Sequence, residues 1–554
     1  MRLGLLAARA APFKGELAVI SLLTIGSSVA LLALPWLAAQ LLGGMVTGEK
    51  VTALSTGQVL SLLLAVLGAM TLLNIAAAVA SARTSGRILE RLRSDCHDHI
   101  IRLPVGFHDR SRQGDLLALM SYEVASLSTF LTSTLATVPA MLLTAIGALV
   151  LLFLLDPALA LVVPLAVPVF FIVLKLVGRR LRALSAQVRK AEVDVVVAAE
   201  TDLDMLPAIK SFAVEGGRQD VFDAKAAQAR VMTFAQARMQ AITGPVLALI
   251  VALAAVAIIV LAGEQVQAGG RNPAELFAFL LYAALLTRPV GALADIYGKL
   301  QIARGTLARL EAVLRVEPER GYAATQVPQD DVLAISFKNV GFAYSGRPLV
   351  LDGLSLDIAA GETVALTGAN GTGKSTLIHL LLRFYEPQQG RICVGGQDIA
   401  ALDVQGLRRL IGFVPQRGLM LSGSVRENIT FGAPDASEAQ IAAACALAQA
   451  DGFIAALPRG FDTMIGDHGV RLSGGRRQRL ALARALVCDP PVLVFDEATS
   501  MYDTQGEADF IAACRSALAG RTVLIVTHRP ASLALADRVL ELSDGKVAEV
   551  TAPS

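Results

Sequence analysis

Charged residues are scarce in this sequence. They make up 17% of the 554 residues, whereas 54% are hydrophobic, and the mean hydropathy is +0.58. This balance excludes a wholly soluble protein and indicates a membrane protein with a soluble part. The net charge of +2 gives no support for nucleic-acid binding. The length predicts roughly three to four domain-sized units.

Cysteine and aromatic residues are also few. The five cysteines lie far apart and none stands in a C-x-x-C pair, which predicts reduced cytosolic thiols rather than disulfides. Aromatic residues make up 5%, so the sequence does not indicate a cavity walled by aromatic rings. The first eleven residues lack the long apolar run of a signal peptide, because Arg9 interrupts it; they predict an interfacial helix.

Five long apolar runs without charge, and a sixth that contains Arg288, occupy the first half of the chain. Each approaches the roughly 20 residues that a helix needs to cross the hydrocarbon core. The runs are Leu17–Leu42, Val59–Ala80, Phe130–Leu155, Ala158–Leu174, Ile242–Ala262 and Leu276 towards Ala294. Near the end of the sixth run, Arg288 and Asp295 lie on roughly one helical face. Substrate contact is one interpretation of this pair; snorkelling or structural pairing is the other.

Basic residues determine the expected orientation. They are concentrated before the first run, in the second connection (residues 83–129) and in the fourth (178–241), and are nearly absent from the other connections. The positive-inside rule therefore places both termini and the soluble part in the cytoplasm. The two basic connections favour helix, so the spans are expected to continue as cytoplasmic stalks.

A glycine-rich stretch in the second half fits the phosphate-binding pattern G-x-x-x-x-G-K-[ST]. It follows the apolar run Val364–Leu366 and precedes a helix-favouring segment, as the pattern requires. Backbone N–H groups and the helix N-terminus would bind phosphates, with Lys374 on the outer phosphates and Ser375 on Mg²⁺. The residues assigned to the nucleotide are Gly368, Ala369, Asn370, Gly371, Thr372, Gly373, Lys374, Ser375 and Thr376.

Short apolar runs alternate with helical patterns in the second half of the chain, at Val364–Leu366, Ile411–Val414, Pro491–Phe495 and Thr522–Val526. This alternation predicts a largely parallel α/β sheet.

Two carboxylates follow the run that ends at Phe495. In a phosphate-loop protein, Asp496 suits Mg²⁺ and Glu497 suits the attacking water. A second anion site is predicted where Leu472, Ser473, Gly474 and Gly475 open a helix. One nucleotide does not need two such sites in one domain. The second therefore predicts a dimer in which it serves ATP held by the other copy.

Together and in this order, these motifs resemble those of ABC transporters. The whole chain resembles an ABC exporter half-transporter, and the resemblance covers nearly all of it. It implies an α-helical membrane bundle of six spans with long cytoplasmic extensions, followed by an α/β P-loop ATPase domain. The expected boundaries are residues 1–315 for the membrane domain, 316–332 for a linker and 333–554 for the nucleotide-binding domain.

The resemblance also assigns roles to single residues. Tyr344 is similar to the aromatic residue that stacks on adenine, with core packing as the alternative. Gln416 resembles the glutamine that contacts Mg²⁺ and the attacking water, and His528 the histidine that senses the γ-phosphate. Asp503 resembles the acidic residue of the loop that joins the two nucleotide sites. The catalytic set is thus Glu497, His528 and Gln416, and the Mg²⁺ set is Ser375, Gln416 and Asp496.

The chain departs from the family pattern at several positions without losing a catalytic group. The fifth signature residue is Arg476 where the family usually has Gln, and the joining loop contains Met501 and Tyr502. Asp467 and His468 depart from the usual Glu and Arg. These changes tune either coupling or local packing.

The implied function is ATP-driven export or flipping of a hydrophobic or amphipathic substrate by a homodimer in the bacterial inner membrane, with ATP and Mg²⁺ as cofactors. Nucleotide binding would draw the stalks together and turn a cavity from inward-facing to outward-facing. Lipid, mature peptide and drug-like molecules stay open as substrates. Thr287-Arg288-Pro289 resembles the corresponding stretch of lipid-flipping members of the family, which favours lipid. The alternatives are one half of an obligate heterodimer and an ATP-gated membrane regulator that moves no solute.

Overall fold

The computed structural model describes residues 11–46, 55–111, 113–160, 162–267, 273–322, 328, 332–416, 418–466, 469–497, 515 and 518–550. The chain divides into two compact units. The first unit comprises Met1–Asp98 and Gly114–Arg315, and the second comprises His99–Gln113 and Val316–Ser554. A short piece of the first basic connection therefore packs with the soluble second half.

Long helices dominate the first half of the chain. In chain order they are α1 Lys14–Val46, α2 Thr56–Ile101, α3 Val105–His108, α4 Gln113–Ala118, α5 Val124–Thr129, α6 Val138–Leu155, α7 Pro157–Ala160, α8 Val162–Asp204, α9 Leu206–Ser211, α10 Glu215–Gln267, α11 Pro273–Leu285 and α12 Thr287–Leu314. Single turns of 3₁₀-helix occur at Ala11–Phe13 and Leu135–Thr137, and π-helical segments at Leu119–Glu123 and Phe130–Thr134. Of these elements only α3 lies entirely in the second unit, which also includes the end of α2 from His99 and the first residue of α4, Gln113.

Several helices extend well beyond the length that crosses a membrane. Within the described residues, Ala11–Met45, Thr56–Ile101 and Gly114–Leu155 are long and apolar enough to span a bilayer. The fourth predicted span begins in α7 and continues in α8, and the fifth lies within α10; both α8 and α10 continue into the basic connections. This continuity confirms that the helices extend beyond the predicted spans. Helix α8 packs against α10, whereas α1 packs against α6 and α11.

Proline interrupts two of the predicted spans. The sixth run divides at Leu286 into α11 and α12, so the expectation of one continuous helix is wrong. A proline at position 289 has no N–H to donate to the carbonyl of Leu285, the last residue of α11, so a regular helical hydrogen bond cannot form there. The third run begins with π and 3₁₀ turns, and regular helix starts only at Val138, next to Pro139.

The second unit contains two main sheets. In the described residues the strands are β1 Ile335–Ala343, β2 Leu349–Ile358, β3 Thr363–Thr367, β4 Gln389–Val394, β5 Gln397–Asp398, β6 Ile411–Val414, β7 Gly423–Ser424, β8 Met464–Ile465, β9 Val492–Asp496, β10 Thr522–Val526, β11 Arg538–Ser543 and β12 Lys546–Val550. One sheet has the order β12-β11-β3-β10-β9-β6, parallel except for the β11–β12 pair. The predicted parallel strands are confirmed there. The antiparallel sheet β2-β1-β4-β5 was not predicted.

The helices of the second unit pack around these sheets. Within the described residues they are α13 Lys374–Leu381, α14 Val404–Arg409, α15 Val425–Ile429, α16 Glu438–Leu447, α17 Asp451–Ala455, α18 Gly474–Leu486 and α19 Pro530–Leu533, with 3₁₀ turns at Thr430–Gly432 and Gly460–Asp462. One hydrophobic cluster joins α13 to both sheets, and another joins α15–α18 to the opposite side of β9 and β10. The parallel strands end at the glycine-rich stretch and at the two carboxylates, where ligands of open α/β sheets usually bind.

Candidate functional site

The glycine-rich loop between β3 and α13 requires glycine at two close approaches. Gly368 has φ +141°, and a Cβ there would lie 2.4 Å from the carbonyl oxygen of Leu542. Gly373 has φ +105°, and its Cβ would lie 2.8 Å from Val350. Any larger residue would be strained by its backbone conformation and would also clash. The sequence pattern therefore determines the shape of the loop.

Lys374 points back into this loop. Its Nζ donates hydrogen bonds to the carbonyl oxygens of Gly368 at 2.8 Å and Ala369 at 2.9 Å. Burial lowers the pKa of Lys374, and the negative charges of Glu497 and Asp496 oppose that shift. An ammonium group held this way at a helix N-terminus can exchange its carbonyl partners for phosphate oxygens.

Ser375 and Asp496 bring two oxygen atoms together. The Ser375 hydroxyl donates to Asp496 Oδ1 at 3.5 Å. Burial raises the pKa of Asp496, and the adjacent Glu497 raises it further. A raised pKa means that the ionised form of Asp496 is disfavoured, and a bound divalent cation would stabilise it. Mg²⁺ prefers hard oxygen donors such as these two. The donor set thus fits Mg²⁺.

Glu497 meets two residues from distant parts of the chain. Its Oε2 accepts a hydrogen bond from Gln416 Nε2, and His528 Nε2 lies 3.5 Å from its Oε1. The residue has φ +46°, and its N–H donates to the carbonyl of Val526 at 2.9 Å. The carboxyl ends of β6, β9 and β10 are adjacent in the parallel sheet, which explains why the three side chains meet.

Tyr344 lies half-buried in a group of aromatic rings. Its hydroxyl is 3.1 Å from Thr376 Oγ1, and its ring packs edge-on against Phe342 and Tyr385. Tyr385 also stacks on His379 and donates a hydrogen bond to Asp109 in the second connection. Burial raises the pKa of Tyr385 and lowers that of His379. The loop-proximal position of Tyr344 is compatible with both interpretations made from the sequence.

The signature residues lie at the start of α18. Ser473 caps the helix, since its side chain accepts from the Arg476 N–H at 3.4 Å, while Leu472 is buried. Leu472 belongs to the hydrophobic cluster of α15–α18, whereas the loop helix α13 belongs to the other cluster. The Arg476 guanidinium lies over the Phe453 ring, 5.6 Å from its centroid. Gly474 and Gly475 form the first helical residues.

Some predicted residues fall outside the described part of the chain. They are Asp503, Met501, Tyr502, Asp467 and His468, together with the side chains of Arg288 and Asp295. In contrast, sequence reasoning missed the contacts of His379, Tyr385 and Gln478. A histidine on the buried helix after the loop and a buried glutamine in α18 are polar residues in apolar surroundings, which was the available signal.

Comparisons with known proteins agree with this architecture. A profile of the ABC transporter transmembrane region matches residues 17–290, and one described as ABC transporter matches residues 351–500. The ATP-dependent lipid A-core flippase of Thiobacillus denitrificans is 33% identical over 494 residues, which cover 88% of this chain and 85% of that protein. The protein of the same name from Chromobacterium violaceum is 34% identical over 471 residues, 84% of this chain and 80% of its own length.

The fold resembles a solved transporter as well. The structure of a bacterial Atm1-family ABC exporter with ATP bound superimposes with a TM-score of 0.84 at 27% sequence identity. The similarity covers 97% of this chain and 95% of that one. It therefore extends over both units, from the long helices to the sheets that position the carboxylates.

Proposed function

Because the chain belongs to the ABC transporters, with an exporter-type transmembrane region fused to an ABC ATPase domain, we propose that it is a homodimeric pump that flips a lipid-like amphipathic molecule across the bacterial inner membrane. ATP-driven export by this fold is the premise; the homodimer, the membrane and the lipid-like substrate are the proposal. The observation that carries it is the meeting of Gln416, Glu497 and His528 beside Lys374 and the Ser375–Asp496 pair.

Each of these groups has a distinct task in hydrolysis. The loop N–H groups and Lys374 bind the phosphates. Ser375, Asp496 and Gln416 would hold Mg²⁺, which would supply charge neutralisation on the phosphates when bound. Glu497 accepts the proton of the attacking water, and Gln416 orients that water. His528 lies beside Glu497. It would therefore be close to the γ-phosphate of a nucleotide bound there and could sense it. Tyr344 stacks on the adenine.

A homodimer explains the second anion site. Leu472 and helix α18, which Ser473, Gly474 and Gly475 open, belong to a different hydrophobic cluster from the loop helix of their own chain. In a dimer, the N-terminus of α18 would bind the phosphates held by the partner copy, and Asp503 would join the two composite sites. Each site would contain a complete set of groups, since one chain supplies both halves. An obligate heterodimer is the competing arrangement.

Two observations support a lipid-like substrate. The compared flippases, which cover more than four fifths of this chain, are named for lipid A-core. The spans carry apolar runs without charge and few aromatic rings, a surface suited to acyl chains more than to aromatic drugs. Positive residues in the connections support a cytoplasmic position for the termini and the ATPase unit.

The decisive experiment measures ATP hydrolysis by the purified chain in lipid nanodiscs with and without lipids, peptides and amphipathic drugs. Stimulation by lipids is expected, and vesicle flux should follow the same specificity.

The Glu497→Gln variant should bind ATP normally yet hydrolyse it at least about 100-fold more slowly, because the general base is lost. Glu549→Gln, at an exposed position of β12, is the matched control. No hydrolysis by the chain alone, despite ATP binding, would favour a missing partner; hydrolysis without flux of any lipid would favour the regulator.

A further inference from the structure

Helix α18 is joined directly to the loop that follows Gln416. Gln478 Nε2 donates a hydrogen bond to the backbone carbonyl oxygen of Gln416 at 3.4 Å. Close by, Gly418 approaches Arg477 so tightly that a Cβ on Gly418 would lie 3.0 Å from the Arg477 carbonyl oxygen. The first two turns of α18 thus hold the backbone on both sides of position 417.

A third contact extends this attachment further along the helix. Arg484 donates hydrogen bonds to the carbonyl oxygen of Leu419 at 2.7 Å and to Asn428 Oδ1 at 2.9 Å. Asn428 in turn bonds both backbone groups of Leu421. Because α18 binds this loop at three levels, a displacement of the helix moves the loop with it.

Packing alone does not explain the chemistry of Gln478. The side chain is 1% exposed, and within the described residues its Oε1 has no hydrogen-bond partner. Methionine or leucine would fill a similar volume without burying an unpaired carbonyl oxygen. Burying the unpaired Oε1 of Gln478 is destabilising. The hydrogen bond from its Nε2 to the Gln416 carbonyl offsets that cost.

Gln416 is also the residue whose side chain bonds Glu497. A continuous path thus runs from Ser473 at the start of α18, through Gln478 a turn and a half later, to the backbone of Gln416 and on to the carboxylate of Glu497. In the dimer proposed above, on which this step depends, the two ends of the path lie at different nucleotides. Ser473 faces the partner's nucleotide, and Glu497 serves the nucleotide of its own chain.

We propose that Gln478 is a positioning residue that couples the two nucleotide sites. When α18 closes on the nucleotide of the partner, Gln478 carries the backbone of Gln416 with it and thereby sets the position of Gln416 against Glu497. Occupation of one site then prepares the other for hydrolysis. ATP hydrolysis should accordingly be positively cooperative in ATP, with Gln478 as a source of that cooperativity.

The test uses the full-length chain in nanodiscs and the Gln478→Met variant, which keeps the length of the side chain but removes its donor. The maximal rate should fall about tenfold and the Hill coefficient should approach that of independent sites, while half-saturation by ATP changes less than about threefold. Gln440→Met, which alters only an exposed helix cap of α16, is the matched control and should behave as wild type.

A second variant separates positioning from simple loss of packing. In Gln478→Glu the buried carboxyl group should have a raised pKa, and only its protonated form can donate to the Gln416 carbonyl. Its rate relative to wild type should therefore rise as pH is lowered from about 8 to about 6, whereas the Met variant should run parallel to wild type. Melting temperature and ATP binding, measured on each variant, identify misfolding.

The outcomes distinguish this inference from the function on which it rests. An active, cooperative wild type with unchanged rate and cooperativity in Gln478→Met would overturn the role of Gln478 and leave the pump intact. If the Met variant does not fold, a flat relative pH profile of Gln478→Glu would overturn it equally. A wild type that hydrolyses no ATP would instead overturn the proposed function.

Discussion

Among single residues, Glu497 shows how backbone conformation directs chemistry. A glutamate in the left-handed region costs about 1–3 kcal/mol. The φ of +46° turns the chain immediately after β9 and places the carboxylate between Gln416 and His528. The surrounding sheet holds this conformation through the N–H bond to Val526. Strain at the proposed general base is therefore part of how the site is built.

His379 should make stability depend on pH. Burial of its ring lowers its pKa, although Asp496 and Asp109 oppose the shift. Below about 6.5 the unfolded chain therefore binds a proton that the folded chain excludes, so the free energy of unfolding falls as pH decreases through that window. We expect the melting temperature in detergent to fall more steeply from about pH 7.5 to about 5.5 for wild type than for His379→Phe, which keeps an aromatic ring. Parallel curves would show that His379 is not the titrating group.

At the scale of secondary-structure elements, the short helix α3 is an integral part of the second unit. Gly106 lies against the Tyr385 ring, and the Tyr385 hydroxyl donates to Asp109. The linker reinforces the same region, because Glu319 donates its N–H to the Arg102 carbonyl and accepts both Nη groups of Arg408. The second unit thus binds a segment from the membrane half of the sequence through side chains that lie outside the phosphate loop and the signature residues.

Enlarging Gly106 should therefore uncouple hydrolysis from transport. A Cβ at this position would lie 2.8 Å from Tyr385 Cε1, and overpacking of this kind costs about 1–3 kcal/mol. In Gly106→Leu we expect ATP hydrolysis within about threefold of wild type but at least about tenfold less lipid flux in proteoliposomes, because α3 is displaced. Gly114→Leu is the control, since no heavy atom of the described residues beyond its chain neighbours and its own helix backbone lies within 4 Å of a Cβ there. Equal losses in the two variants would refute a specific role for this contact.

For the whole molecule, the division of the second unit into two hydrophobic clusters matters most. The phosphate loop is built on one cluster and the signature residues on the other. The resulting separation favours a nucleotide shared between copies. It also makes the dimer testable by mixing defective chains.

Chains carrying Glu497→Gln and chains carrying Gly475→Asp should complement each other. The first lacks a general base; the second places a negative charge at a helix N-terminus that should bind phosphate. In a mixed dimer both defects fall in one composite site and leave the other intact. Independent sites would give about a quarter of the wild-type ATPase rate after random pairing, and the coupling through Gln478 should lower this to a smaller but measurable rate, whereas each variant alone should be inactive. Absence of complementation in proven mixed dimers would contradict shared sites.

Local patterns determined much of this protein. The apolar runs are long enough to require membrane helices, and buried parallel strands such as Ile411–Val414 and Thr522–Val526 match the predicted runs because both faces are covered. The glycines of the phosphate loop and the residues after β9 were identifiable because their chemistry needs fixed residue types at fixed spacing. The sheet containing β1 and β2 was missed, since its register shifts blur the alternation.

Tertiary structure decided what lies far apart in the chain. The position of the break, at Leu286 between α11 and α12, became visible only in the structure. Gln416 and Glu497 are 81 residues apart, and Asp109 and Tyr385 are 276 apart. No local propensity specifies such pairs; they meet because strand order and helix packing close the loops between them. The sequence by itself determined the kinds of groups available for phosphate chemistry, and the fold determined which of them act on one another.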